Sequence, residues 1–380
     1  MRQRLLLVLL STSMLGGCAS WFQSSSRPEP TPLAAIQQVQ ALKVNWSESA
    51  SAGVPGSFLP TYDRGEVLVA DPQGELRIYN ADTGRQSNRL GLKRELSAGP
   101  GVAGNTVLLG TSDGFLLAVD RASGKTLWQQ RLTSVTLEAP VVSGSVAVVR
   151  TNDDRISGFQ ISDGKQLWSL PHFQGELLVR NTGSLTAVAG SDVLLAGLSG
   201  GKMQVIAAQN GNVLWEGVVA SPKGATELER VTDVVSRPQF ADQQVCAVAY
   251  QGRVACFDSR SGNLVWAREV SSSRAIALDA QNVYVTDEND SVLAFDRQTG
   301  RNVWKQDALK FRGLSGPAML GRFVLVVDAQ GYAHLLSNES GSIVGRVGTG
   351  TDGQTAQPVS LGTSALVKGP NGRLVMLSLG

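Results

Sequence analysis

Few residues in this chain are suited to chemistry. There are three cysteines, Cys18, Cys246 and Cys256, and two histidines, His172 and His334. Their spacing matches no zinc-ligand pattern, so no metal site is expected. No nucleophile elbow, phosphate-binding loop or dinucleotide fingerprint occurs. Asp120, Asp258 and Asp296 recur in register just ahead of a glycine. That is where turn-capping residues stand, whereas acid–base work needs a facing pair. Catalysis is therefore not expected. Cys246 and Cys256 flank the segment CAVAYQGRVAC, a hairpin whose three-residue loop (residues 250–252) sets the two cysteines opposite each other. An exported compartment would allow a disulfide. Two buried thiols fit the spacing equally well, because cross-strand geometry is often poor for bridging.

The elements that must position these residues repeat along the chain. DGFLLAVDRASGKTLW, from Asp113 to Trp128, reads as a strand, a tight turn at Ser123-Gly124 and a second strand. The turn glycine recurs at Gly84, Gly124, Gly164, Gly211, Gly262, Gly300 and Gly341. Ten residues before each stands a turn opener: Gly74, Gly114, Asp154, Gly201, Gly252, Asp290 or Gly331. Four residues after it a tryptophan follows at Trp128, Trp168, Trp215, Trp266 and Trp304, with Asn88 and Gly345 in the other two copies. Prolines at 60, 100, 140, 238, 317 and 358 open a further strand upstream. Four strands per period of about 40 residues is the signature of propeller blades. An eighth copy is split: GRLVMLSLG at the C-terminus supplies a third strand, and LKVNW at residues 42–46 supplies a fourth. Pairing them closes a ring and leaves no half-built sheet edge. The expected fold is all-β, an eight-bladed propeller of four-stranded antiparallel blades, closed by the N-terminal strand.

Composition agrees with a folded β body. The chain is 42% hydrophobic and 17% charged, with 42 glycines among 380 residues. A net charge of +2 offers no electrostatic footprint for nucleic acid. At the N-terminus, MRQRLLLVLLSTSMLGGCAS combines a basic start, an apolar run and small residues before Cys18. It is too short to span a membrane as a helix and reads as an export signal, residues 1–17. Leu15-Gly16-Gly17-Cys18 resembles the bacterial lipobox, which implies lipidation of Cys18 and anchoring to a membrane. Ala19 follows where an aspartate would imply inner-membrane retention, so the expected location is the periplasmic face of the outer membrane. Residues 18–40, rich in Ser and Pro, read as a tether, and residues 41–380 as the propeller.

Two intervals between turn glycines exceed the rest, Gly164 to Gly211 and Gly211 to Gly262. The excess falls in PHFQGELLVRNTGS (residues 171–184) and SPKGATELERVTDVVS (residues 221–236). These insertions belong to adjacent blades and should emerge side by side. Leu177, Leu178, Val179 and Arg180 in the first, with Leu228, Arg230, Val231 and Asp233 in the second, suit a protein-binding patch. Plain loops whose aliphatics tuck under the propeller are the alternative.

The repeat D-G-x-L-x-A-x-D-x-x-x-G-K-x-x-W resembles the quinoprotein repeat, which in enzymes accompanies pyrroloquinoline quinone and Ca²⁺. Those enzymes mostly carry an adjacent cysteine pair, absent here, so no cofactor is expected and the tryptophans read as inter-blade packing. With the lipobox, the Pro-rich tether and the segments TELERVTDVVSRP and YVTDENDSVLAFDRQTG, the whole chain resembles the BamB family of outer-membrane assembly factors. That resemblance implies a non-enzymatic lipoprotein of the β-barrel assembly machinery (BAM complex). It would bind the periplasmic POTRA domains of BamA and assist folding and insertion of outer-membrane proteins. Presentation of sheet edges to unfolded precursors is a further expectation. The family's BamA-facing positions map onto Leu177, Val179, Arg180 and Asp233; a second acid of the family pattern is replaced by Val235. The rivals are a quinone-dependent dehydrogenase and an envelope scaffold with another partner.

Overall fold

Each repeat supplies four short strands joined by turns tight enough to fold them into one antiparallel sheet. The computed structural model describes residues 28–50, 56–171, 179 and 183–380, and these form eight four-stranded sheets. In blades 1 to 7 the strands follow in chain order, the first strands beginning at Thr61, Leu96, Val141, Leu185, Gln239, Ala277 and Ala318. First strands of successive blades touch, so they line the axis and the fourth strands form the rim. Every strand reverses direction. Second-to-third turns and blade-to-blade loops therefore share one face, called here the loop face, and the remaining hairpins share the other.

The second and third strands are apolar on both sides because each blade packs against two others. Val146–Arg150 and Phe323–Val327 are buried at every position. The core is accordingly a ring of clusters between blades, such as Leu325 and Leu335 of blade 7 with Val367 and Leu377 of blade 8.

The turn glycines and tryptophans lock neighbouring blades together. Gly84, Gly124, Gly164, Gly211, Gly262, Gly300 and Gly341 all adopt φ between 67° and 75°, the left-handed region that favours glycine. Six of them also lie beneath an indole. A Cβ on Gly164 would sit 2.5 Å from Trp128, and Trp46, Trp168, Trp215, Trp266 and Trp304 crowd the turns of their following blades likewise. Each indole Nε1 also donates to a carbonyl of that next turn, as Trp128 does to Ile161 O at 2.7 Å. Asn88 lacks the plate but keeps the bond, donating from Nδ2 to Ala122 O at 2.9 Å.

Gly164→Ala is therefore expected to cost more than Gly104→Ala. Both positions are left-handed, but nothing lies within 4 Å of a Cβ on Gly104. Both variants carry the backbone cost of about 1–2 kcal/mol, and overpacking against Trp128 adds about 1–3 kcal/mol at Gly164 alone. Equal melting temperatures would refute the indole lock.

The aspartates in register cap turns. Asp120 Oδ1 accepts from Ser123 N at 2.8 Å and Ser123 Oγ at 2.6 Å, and Asp258 and Asp296 repeat the motif. Those hydrogen bonds hold all three carboxyls below the ordinary range. In the opening turns, Asp154 and Asp290 take the left-handed conformation that glycine takes elsewhere. One turn differs from the repeat's register. Its left-handed residue is Gln251, φ 48°, rather than Gly252. Glycine is needed at 252 for space, since a Cβ there would lie 2.6 Å from that of Ala220.

Blade 8 is assembled from both ends of the chain. Leu42–Ser49 pairs antiparallel with Arg373–Leu379 from Leu42↔Leu379 to Ser49↔Arg373, with one bulge between Val44 and Trp46. Trp46 then donates to Ala81 O at 2.7 Å, so the closing strand also grips blade 1. Cys246 and Cys256 face each other across the second and third strands of blade 5 and form a disulfide, with Cα atoms 4.1 Å apart. The chain ahead of residue 41 packs earlier than its composition suggests: from Thr31 onward it hydrogen-bonds to blades 6 and 7.

Candidate partner-docking site

Two loops on the loop face depart from the blade plan. The first follows the rim strand of blade 3, Gln166–Leu170, and ends at Leu185–Ala187 of blade 4. The second follows Val213–Val218 and ends at Gln239–Ala241 of blade 5. The end of the first is held by buried charge. Glu138, 4% exposed, accepts from Ser184 N at 2.8 Å and Leu185 N at 3.1 Å. Arg150 donates to Ser184 Oγ and to Gly197 O.

The second loop has two parts. Residues 221–230 are exposed throughout, with Leu228 the most exposed aliphatic among them at 70%. They are organised locally: Glu229 accepts from Ala225 N and Thr226 N, which lowers its pKa, and Arg230 pairs with Glu227. Residues 232–236 turn inward and are buried. Val234 packs in the core between blades 4 and 5, its N–H donating to Leu198 O at 3.0 Å. Val235 is buried as well.

Asp233 lies in this inward part, only 4% exposed. Its Oδ2 accepts from Val179 N in the first loop at 2.8 Å. Its Oδ1 accepts from Gly200 N in the Ser199–Gly201 turn of blade 4 at 3.0 Å. One carboxylate thus bridges both insertions and the blade between them. A buried acid whose oxygens take backbone N–H bonds is a structural clasp, and its removal would leave the amides of Val179 and Gly200 without this acceptor. Of the four positions assigned from the family pattern, the structure joins Val179 and Asp233. Leu177 and Arg180 lie outside the described residues, as do Leu178 and Cys18.

Burial lowers the Lys368 ammonium to about 8, and it donates to Phe58 O at 3.0 Å, holding a loop of blade 1. Among the described residues no group of three His, Cys, Asp or Glu side chains gathers to hold a metal ion. A buried cluster escaped the sequence reading: Asp328, His334, Arg312 and Arg346, at the seam of blades 6 and 7. Its members come from a loop, a turn and two strands, so spacing alone carried no signal of it.

These features define an eight-bladed propeller of quinoprotein-like repeats whose departures from the plan are two clasped loops on one face. A profile described as outer membrane protein assembly factor BamB matches residues 72–306. The outer membrane protein assembly factor BamB of Bordetella pertussis is 37% identical over 371 residues, 97% of this chain and 95% of that one. The chain belongs to the BamB family. The crystal structure of BamB from Moraxella catarrhalis superposes with a TM-score of 0.80 at 24% identity, covering 89% of this chain and 99% of that one. Quinohemoprotein alcohol dehydrogenase from Comamonas testosteroni shares the fold at a TM-score of 0.70 and 12% identity, over 90% of this chain and 78% of that one.

Proposed function

We propose that this protein is a non-enzymatic scaffold of the β-barrel assembly machinery, anchored by a lipid on Cys18 to the periplasmic face of the outer membrane. Family membership makes it an outer membrane protein assembly factor. The finer reading is that the two insertions dock on the POTRA domains of BamA, and so assist folding and insertion of β-barrel proteins. The observation carrying it is the clasp at Asp233, which joins adjacent insertions into one surface. Leu177 and Arg180 flank the clasped Val179 in sequence and would contact BamA. Asp233 would act by holding them in place. Rim strands carry exposed Leu127, Leu214 and Leu264, which suits strand addition by unfolded precursors.

The test is binding of purified variants to the isolated POTRA domains. Arg180→Glu is expected to weaken binding about 30-fold or more, since truncating a desolvated interfacial charge costs about 2–5 kcal/mol. Lys165→Glu, an exposed reversal in a turn on the opposite face, should leave binding unchanged. Normal binding by folded Arg180→Glu would refute this docking surface. Capture of a different envelope protein, with no affinity for BamA, would favour another partner.

A further inference from the structure

One segment that reads as tether in the sequence is docked. Residues 31–40, TPLAAIQQVQ, carry no charge and lie against the propeller from the blade 6 to blade 7 connection to the rim strand of blade 7. Thr31 N donates to Lys310 O at 3.0 Å, and Val39 N and Gln40 N both donate to Val344 O, at 2.9 and 3.0 Å. Leu33 packs on the cluster containing Trp304, Leu309 and Leu314.

Two arginines grip the segment by its carbonyls. Arg312 donates from Nη1 to Thr31 O at 2.9 Å, and Arg346 from Nη1 to Ala34 O at 3.0 Å. Both are aimed from behind by a fully buried pair. Arg312 Nε donates to Asp328 Oδ2 at 2.7 Å, and Arg346 Nε donates to His334 Nδ1 at 3.1 Å. Because Nδ1 accepts, the imidazole proton sits on Nε2, which donates to Asp328 Oδ2 at 2.9 Å. Burial keeps that imidazole neutral, with a pKa below the ordinary histidine value.

The repeat itself is altered to admit the segment. Blade 7 has Gly345 where six other blades have tryptophan, and its φ does not require glycine. A Cβ at Gly345 would lie 2.6 Å from Gln40 O. Glycine is therefore there to let the passing backbone approach, and an indole would block its path.

We propose that residues 31–40 are a docked strap, latched by Arg312 and Arg346, that fixes where the membrane tether leaves the propeller. Lys310 and Arg312 belong to the blade 6 to blade 7 connection, so the strap's N-terminal end leaves at the loop face, the face that bears both insertions. The consequence for the membrane rests on lipidation of Cys18; the docking does not. With the strap latched, 13 residue steps separate Cys18 from Thr31, a reach of roughly 45 Å at most. With it released, 22 steps reach to Gln40, roughly 75 Å. The latch thus holds the insertion face close to the bilayer.

Hydrogen exchange on the protein in solution tests the docking. In wild type, the amides of Thr31, Val39 and Gln40 should be protected. In Arg312→Ala/Arg346→Ala, exchange at Thr31 should accelerate by about tenfold or more as its carbonyl clamps are lost. Amides of the closing strand should stay protected, which separates release of the strap from unfolding. Gly345→Ala should speed exchange at Val39 and Gln40 with both arginines intact. Free exchange at Thr31 in wild type, or unchanged exchange in the double variant, would overturn the strap. Energy transfer from a dye on the loop face to a membrane dye, using lipidated protein in phosphatidylethanolamine–phosphatidylglycerol vesicles, then tests tether length. Transfer should fall in the double variant. Unaltered transfer despite faster exchange would overturn the tether-setting role. Failure of the wild type to partition into vesicles would instead count against lipid anchoring.

Discussion

A variant lacking Leu42–Ser49 is expected to fail to fold, to aggregate or to be degraded in the cell. The deletion removes the whole rim strand of blade 8 and exposes the edge of Arg373–Leu379, a ready template for pairing with another chain. It also removes two buried anchors, Leu42 and Trp46. Truncating each alone would cost about 2–5 kcal/mol, and together they approach the whole stability of a typical folded domain, about 5–15 kcal/mol. The contrasting deletion of residues 20–27 ends before the first strap contact at Thr31 and should leave the melting temperature unchanged. Thermal unfolding and limited proteolysis of both proteins decide the matter. Equal stability would mean that the ring closes without this strand.

Trp266→Ala is expected to lower stability by about 3–5 kcal/mol. The side chain is 5% exposed, its indole donates to Arg297 O at 2.7 Å, and it covers Gly300 of the next blade. Its ring also leans on Phe295, with centroids 6.2 Å apart. Trp266→Phe keeps most of the apolar plate and loses the N–H donor, leaving Arg297 O short of a partner. Its smaller loss, about 1–3 kcal/mol, separates the hydrogen bond from the packing. Partner binding by the protein that remains folded should match wild type in both. A variant of full stability that has lost function would instead assign this indole to a ligand site.

Much of this architecture is written locally. The left-handed turn between third and fourth strands favours glycine, so the turn glycines mark blades 1 to 7 in the linear chain. The tryptophans were legible because each performs the same packing task at the same offset. The closing strand was legible because LKVNW carries a rim strand's tryptophan with no blade of its own. Cys246 and Cys256 were legible as a facing pair, but not as a disulfide, since bonding depends on how closely two strands approach at that point.

Other features depend on contacts between residues far apart in sequence. Asp233 reads as an exposed acid in a polar loop, and the fold buries it as the clasp between Val179 and Gly200. Residues 31–40 read as tether because they follow the Ser- and Pro-rich stretch and carry no strand pattern of their own. Among their partners, Asp328, His334 and Arg346 come together when blade 7 folds, and Arg312 joins them from the connection leading in from blade 6. Gly345 looked like a blank in the repeat until the passing strap supplied its reason. Turn geometry and the offset of the packing residues recur from copy to copy, so the propeller, its blade number and its closure can be read from the linear chain. Burial of a charge and docking of a backbone depend on what residues distant in sequence present, so both emerge only in the folded ring.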